Sequence, residues 1–263
     1  MLKRRLIPVL FLQDGWMVRS QTFSFHQPIG DPVHHVRRLV DWDVDELIVL
    51  DIGTAAAMTF EHHRIDYRFK PVRTMSEFIA LVAVECHIPL TFGGHIRKLD
   101  DVRQRIQGGA DKVAVNQLLV SDPTTVTAAA RSFGSQAVVA SIDYRGVGAA
   151  ATVYADHGKQ SLGTDPVTWA RRAIDLGCGE ILLNAIDRDG GATGYDLDTI
   201  DAVAAAVNAP VIVCGGAGHH RHFGDVFERT GASAAAAGNI FHFKENAYPL
   251  AKQYLRKKFS DVR

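Results

Sequence analysis

Eight short apolar runs, each bounded by turn residues, constrain the fold of this 263-residue chain more than any other feature. They are Leu6–Leu12, Glu46–Ile52, Ile88–Phe92, Lys112–Val115, Ala137–Ile142, Glu180–Ala185, Pro210–Cys214 and Ala234–Ala237. Most lack the alternation of a strand with one wet face, and unbroken runs of this length suit parallel strands buried on both faces. Helical patterns separate them: Pro32–Trp42, Met75–Cys86, a helix opened by Asp122-Pro123 and running through Ala130, then Pro166–Leu176, Asp196–Val207 and Leu250–Phe259. Asp122 ahead of Pro123 places an N-cap before a proline at the first helical position. Strand-like runs alternating with helices over about 250 residues predict a (β/α)8 TIM barrel of the α/β class, with a doubly wound open sheet as the competitor.

The two halves of the chain echo one another. Asp45-Glu46-Leu47-Ile48-Val49-Leu50-Asp51 is similar to Gly179-Glu180-Ile181-Leu182-Leu183-Asn184, and Pro89–Gly94 is similar to Pro210–Gly216. No linker-like stretch divides them, so residues 1–263 read as a single domain built from two half-barrels. An apolar fraction of 47% is ample for its core. Lys+Arg and Asp+Glu both total 29, so the basic footprint that nucleic acid demands is absent. Cys86, Cys178 and Cys214 are odd in number and far apart, which excludes a disulfide scaffold and fits a reducing cytosol. No apolar run is long enough to span a membrane, and Leu6–Leu12 behind the basic start makes no secretory signal. A cytoplasmic protein without membrane insertion is expected.

In such barrels the loops after the strand C-termini carry function. Gly93-Gly94 and Gly215-Gly216-Ala217-Gly218 both follow apolar runs directly. Glycines there let backbone N–H groups approach an anion, which predicts two phosphate sites on opposite sides of one mouth; tight βα turns are the plainer reading. Asp51, Asp143, Asp187 and Asp189 also fall at strand ends, where a carboxylate works as general acid or base, or simply caps the next helix. Asn116 either binds phosphate or caps a turn. The dense histidine stretches, His219-His220-Arg221-His222 and His62-His63, lack zinc-helix spacing and a nearby cysteine pair. No metal and no cofactor are expected. Arg256-Lys257-Lys258 suits a helix C-terminus.

Further stretches carry a resemblance. Arg5-Leu6-Ile7-Pro8, Gly30-Asp31-Pro32, Gly109-Ala110-Asp111-Lys112-Val113, Phe133-Gly134-Ser135-Gln136, Asp187-Arg188-Asp189-Gly190, Gly194-Tyr195-Asp196-Leu197 and Phe241-His242-Phe243 join those already quoted. Over nearly its full length the chain resembles the cyclase subunit (HisF type) of imidazole glycerol phosphate synthase. The resemblance implies a barrel partnered by a HisH-like glutaminase that supplies ammonia through it. It implies a catalytic pair of aspartates ending the first and fifth barrel strands. Asp143 matches the second, Phe11 stands at the first, and Asp189 is the further candidate acid. Phosphate groups of a phosphorylated small molecule would lie at Gly94, Asn116, Gly216, Gly238 and Asn239. Arg5, Glu46, Lys112 and Glu180 match the family's ammonia gate at the barrel bottom, and Asp111 matches its contact to the glutaminase.

The departures gather at the mouth. Beside Phe11, His95 replaces a glycine, Ala114 a hydroxyl-bearing residue, Asn184 a threonine and Cys214 a serine; Gly191 replaces a threonine and Asn239 a serine. The loop at roughly 53–70, with Met58, Phe60, Tyr67 and Phe69, is about a dozen residues longer than usual and reads as a lid or binding loop. An altered mouth above an intact gate resembles the second-copy homologues of the WbuZ type. That branch implies ammonia passed for amidation of an N-acetyl sugar in surface polysaccharide (lipopolysaccharide O-antigen) synthesis, together with a separate N-acetyl sugar amidotransferase. An authentic cyclase subunit of histidine biosynthesis and a non-catalytic activator of the glutaminase are the alternatives.

Overall fold

The computed structural model describes residues 3–53, 75–85 and 87–263. The expected long loop beyond Gly53, His62-His63 and Cys86 lie outside them. Twelve strands form one sheet: β1 (Arg5–Gln13), β2 (Trp16–Gln21), β3 (Phe25–Gly30), β4 (Leu47–Asp51), β5 (Leu90–Gly93), β6 (Lys112–Val115), β7 (Val138–Arg145), β8 (Thr152–Ala155), β9 (Gln160–Ser161), β10 (Glu180–Ala185), β11 (Val211–Cys214) and β12 (Ala234–Ala237). Eight of these pair in parallel in the order β1-β4-β5-β6-β7-β10-β11-β12, and β12 returns to β1. Helices lie between them, so the chain is a closed (β/α)8 TIM barrel. All eight apolar runs became its strands, with ends moved by a few residues.

Two antiparallel hairpins were not foreseen. β2–β3 continues β1, and β8–β9 continues β7 beyond the barrel rim. Both hairpins mix buried apolar residues such as Met17, Val18 and Val153 with exposed ones, and their strands are too short for a periodic signal. Helices Leu99–Gln107 and His220–Arg229 were likewise unforeseen. The second of them begins inside the histidine run.

Alternation along each strand explains the unbroken apolar runs. Leu6, Leu10 and Leu12 of β1 pack outward against helices, whereas Ile7, Val9 and Phe11 pack inward with Ile48, Ala114, Val139, Leu182, Ile212 and Cys214. Counting back two residues from the inward positions reaches Arg5, Glu46, Lys112 and Glu180 at the bottom. Counting forward reaches Asp143 and Asn184 at the top. Strand parity therefore gives the barrel axis a charged floor and a polar mouth. Side-chain caps place the helices: Asp31 accepts from Val33 N at 2.8 Å, Asp122 from Thr125 N at 3.1 Å and Asp165 from Thr168 N at 2.9 Å, each ahead of a proline.

A buried clip ties the C-terminal helix Ala247–Lys258 to the bottom of the barrel. The Asp45 carboxylate accepts from Leu6 N at 2.8 Å and pairs with Lys252. The Tyr248 hydroxyl accepts from Asp45 N at 2.9 Å and donates to Leu6 O at 3.0 Å. Asp45→Ala leaves Lys252 buried without its carboxylate, which costs about 3–5 kcal/mol. Urea unfolding is expected to register that loss as a lowered midpoint.

Candidate functional site

The floor of the barrel holds a closed ring of four charges. Arg5 Nη1 lies 2.7 Å from Glu46 Oε1 and its Nη2 lies 2.7 Å from Glu180 Oε1. Lys112 Nζ lies 2.7 Å from Glu180 Oε2 and 3.4 Å from Glu46 Oε2. Both glutamates are buried, and each cation bridges both. A cavity of about 450 Å³ opens beneath the ring, lined also by Lys3, Gln136 and Arg263. Asp111 stands exposed at the same end, its carboxylate accepting from Leu90 N at 2.8 Å.

The mouth is a cavity of about 340 Å³ that brings together Asp51, His95, Asn116, Asp143, His157 and Asn184. Asp143, buried near the end of β7, accepts from Asn184 Nδ2 at 2.9 Å and from Asn116 Nδ2 at 3.3 Å. Burial pushes its carboxyl up to about 6, against the Asn184 bond, and the nearby Asp189 charge adds to the rise. The Asn116 amide also donates to Ser141 O at 3.0 Å. Its side chain therefore orients the aspartate instead of capping the following helix.

Asp189 stands outside that lining and fastens the first hairpin. Its carboxylate accepts from Phe23 N at 3.3 Å, and its backbone carbonyl from Thr22 N at 2.8 Å. The hairpin brings the Phe23 ring edge-on to Phe11, centroids 5.9 Å apart. Phe11, 3% exposed, is thus an apolar part of the mouth with no proton to give. Gln117 Oε1 accepts from Asp156 N at 3.1 Å and holds the second hairpin, which contributes His157 and Lys159 to the cavity.

The two Gly-Gly turns lie half a barrel apart and share one geometry. Gly94 has φ +99° and Gly216 φ +97°, and a β-carbon on either would fall within 2.2 Å of a backbone carbonyl oxygen. Only glycine fits there. Gly94 and Asn116 flank the cavity at β5 and β6, whereas Gly216, Gly238 and Asn239 stand opposite at β11 and β12. Asn239 Nδ2 donates to Ser20 O at 2.7 Å. The sequence singles out Asp51 as a strand-end carboxylate and His95 as a departure from the resembled family; their contact at 3.2 Å depends on a left-handed residue that neither reading reveals. His157 was missed because its hairpin was missed.

The raised Asp143 carboxyl sets a pH dependence. An acid whose pKa is higher folded than unfolded adds stability below the unfolded value, and that stability is lost as pH rises through the folded value. Asp143 therefore destabilises the fold progressively between about pH 4 and pH 6. Asp143→Asn is expected to abolish this pH dependence, its side chain keeping one of the two acceptor contacts to Asn184 and Asn116. Denaturant midpoints measured at pH 4 and pH 7 check the sign.

The histidine biosynthesis protein family matches residues 5–247 of the chain. The imidazole glycerol phosphate synthase subunit HisF of Alkaliphilus metalliredigens is 41% identical over 258 residues, covering 98% of this chain and 97% of that protein. The HisF subunits of Hydrogenobaculum sp. and Geobacillus thermodenitrificans are each 39% identical, with all of both chains covered. No helix among the described residues is long and apolar enough to cross a membrane.

Proposed function

From the premise that this chain belongs to the histidine biosynthesis protein family, as a HisF-type barrel subunit, we propose that it takes ammonia from a HisH-like glutaminase and delivers it to an acceptor other than that of imidazole glycerol phosphate synthase. The acceptor class is the acetamido group of an N-acetyl sugar, presented at the mouth by a separate sugar amidotransferase in cytoplasmic surface-polysaccharide synthesis. One contrast carries this reading: a complete ring of four paired charges at the floor, and a phenylalanine where the family's first aspartate stands.

Buried ion pairs are costly, and apolar packing often replaces them at no loss of stability. Retaining all four charges therefore favours continued use of the passage they close. Arg5, Glu46, Lys112 and Glu180 act as its gate, and exposed Asp111 docks the glutaminase. At the other end Asp143 orients or deprotonates the reacting group, with Asp189 holding the hairpin over it. The glycine turns at Gly94 and Gly216, with the backbone N–H groups of Asn116, Gly238 and Asn239, receive the phosphate groups of the acceptor.

A second reading keeps the chain as the cyclase subunit of histidine biosynthesis. The Alkaliphilus, Hydrogenobaculum and Geobacillus relatives favour it, since all three are imidazole glycerol phosphate synthase subunits. Acceptor binding separates the two, because an acceptor coupled to the glutaminase site changes glutamine turnover. In the assembled complex, the N-acetyl sugar with its amidotransferase is expected to raise glutamine hydrolysis, while the substrate of imidazole glycerol phosphate synthase leaves it unchanged. The reverse pattern upholds the second reading.

A further inference from the structure

We propose that His95 and Asp51 form a proton-transfer pair at the mouth, in which His95 takes the proton that ammonia sheds as it adds to the acceptor carbon. The inference rests on the function proposed above and deepens it. His95 follows Gly94 in the turn after β5 and is itself left-handed, at φ +53°. Residues other than glycine rarely adopt that conformation. Here it sets Nε2 3.2 Å from Asp51 Oδ2. The Asp51 side chain is 2% exposed, and its other oxygen accepts from Gly53 N at 2.9 Å. A buried, hydrogen-bonded carboxylate behind an imidazole fixes the ring and stabilises its protonated form, as in catalytic triads on many folds.

The cavity holds two histidines with opposite surroundings. The Asp51 hydrogen bond, aided by its charge, holds His95 above the ordinary imidazole range, against burial and the Arg105 and Arg97 charges. Burial draws His157 below that range, with Lys159 and His95 adding to the fall and Asp156 and Asp51 opposing it. His95 is therefore the histidine suited to carry a proton. Arg105 Nη2 donates to Gly94 O at 3.2 Å and anchors the turn from behind. Asp143, fixed by Asn184 and Asn116, lines the same cavity from β7, so two proton carriers serve it from different strands.

The step balances within the addition itself. The ammonia lone pair forms a C–N bond to the acetamido carbonyl carbon, and the carbonyl π pair moves onto oxygen. One N–H bond breaks, and its proton passes to Nδ1 of His95, the nitrogen that Asp51 does not engage. The oxygen then leaves as water at the amidotransferase that presents the sugar, taking the proton held by His95 and a second one from the added nitrogen as the C=N bond forms. A general base of this kind is worth about 10²–10⁴ in rate.

The test uses the full chain with His95→Asn and Asp51→Asn. Asparagine tolerates the left-handed backbone, so His95→Asn keeps the turn. Histidine titration by NMR, with His95 assigned by its absence in that variant, should place its midpoint above the ordinary imidazole value; Asp51→Asn should drop it below. In the complex, His95→Asn should lower kcat for amination about 10²–10⁴-fold while KM and glutamine hydrolysis hold. The acidic limb of the kcat profile should follow the His95 midpoint and shift with Asp51→Asn. A His95 midpoint at or below the ordinary value, or kcat within threefold of wild type in His95→Asn, overturns the pair. A wild-type chain that aminates no acceptor defeats the function proposed above instead, and the titration alone then upholds or overturns the pair.

Discussion

A histidine auxotroph lacking its cyclase subunit is expected not to grow when this chain is supplied at ordinary expression. In the proposed reading Phe11 takes the place of the family's acid at the end of the first strand, with its ring packed edge-on against Phe23. Loss of a positioned acid or base typically costs about 10²–10⁴ in rate, enough to abolish growth that depends on flux through one step. Phe11→Asp alone is expected to fail as well. The new carboxylate would replace a ring that is 3% exposed, beside a mouth that already holds the buried acid Asp143. Ala114, Asn184 and Cys214 would still depart from the family around it. Growth at the rate given by an authentic cyclase would uphold the histidine-biosynthesis reading.

The second large effect is expected at the floor. Lys112→Ala leaves Glu46 and Glu180 sharing Arg5, with Arg263 only at 4.0 Å from Glu46, and Arg5→Ala leaves them sharing Lys112 with the same distant Arg263. Breaking a buried pair in this way costs about 3–5 kcal/mol. Part of that loss reappears as a disordered passage, so amination should fall relative to glutamine hydrolysis. Expressing the result as product formed per glutamine hydrolysed separates it from simple loss of folded complex, which lowers both together. Charge reversal at Asp111, exposed at the same end, should weaken assembly with the glutaminase instead, as measured by size-exclusion chromatography. If the ring variants keep amination fully coupled to hydrolysis, the barrel is a structural activator of its partner and not a conduit.

The barrel was legible because its strands are buried on both faces, so burial writes each strand as an unbroken apolar run. The floor was legible through the family resemblance, which matched four charges to a gate. Arg5, Glu46, Lys112 and Glu180 stand at or next to the starts of apolar runs, where a charge interrupts the pattern. The mouth was less so. Its two hairpins are short and mixed in polarity, and their placement depends on single contacts such as Thr22 N to Asp189 O and Asp156 N to Gln117 Oε1. Asn116 reads in sequence as a phosphate ligand or a cap, yet in the folded chain its amide is spent on Asp143 and Ser141. The His95–Asp51 contact joins residues from different strand ends through a left-handed backbone, a combination no local pattern encodes.

The fate of the glutamine amide nitrogen tests the central claim most directly. The chain, its glutaminase and the sugar amidotransferase are incubated with amide-labelled ¹⁵N-glutamine, the N-acetyl sugar and the substrate of imidazole glycerol phosphate synthase together, and the products are resolved by mass spectrometry. An altered mouth above a working passage predicts ¹⁵N in the acetamidino group of the sugar and none in an imidazole ring. Label in imidazole glycerol phosphate, with the sugar unlabelled, would contradict it.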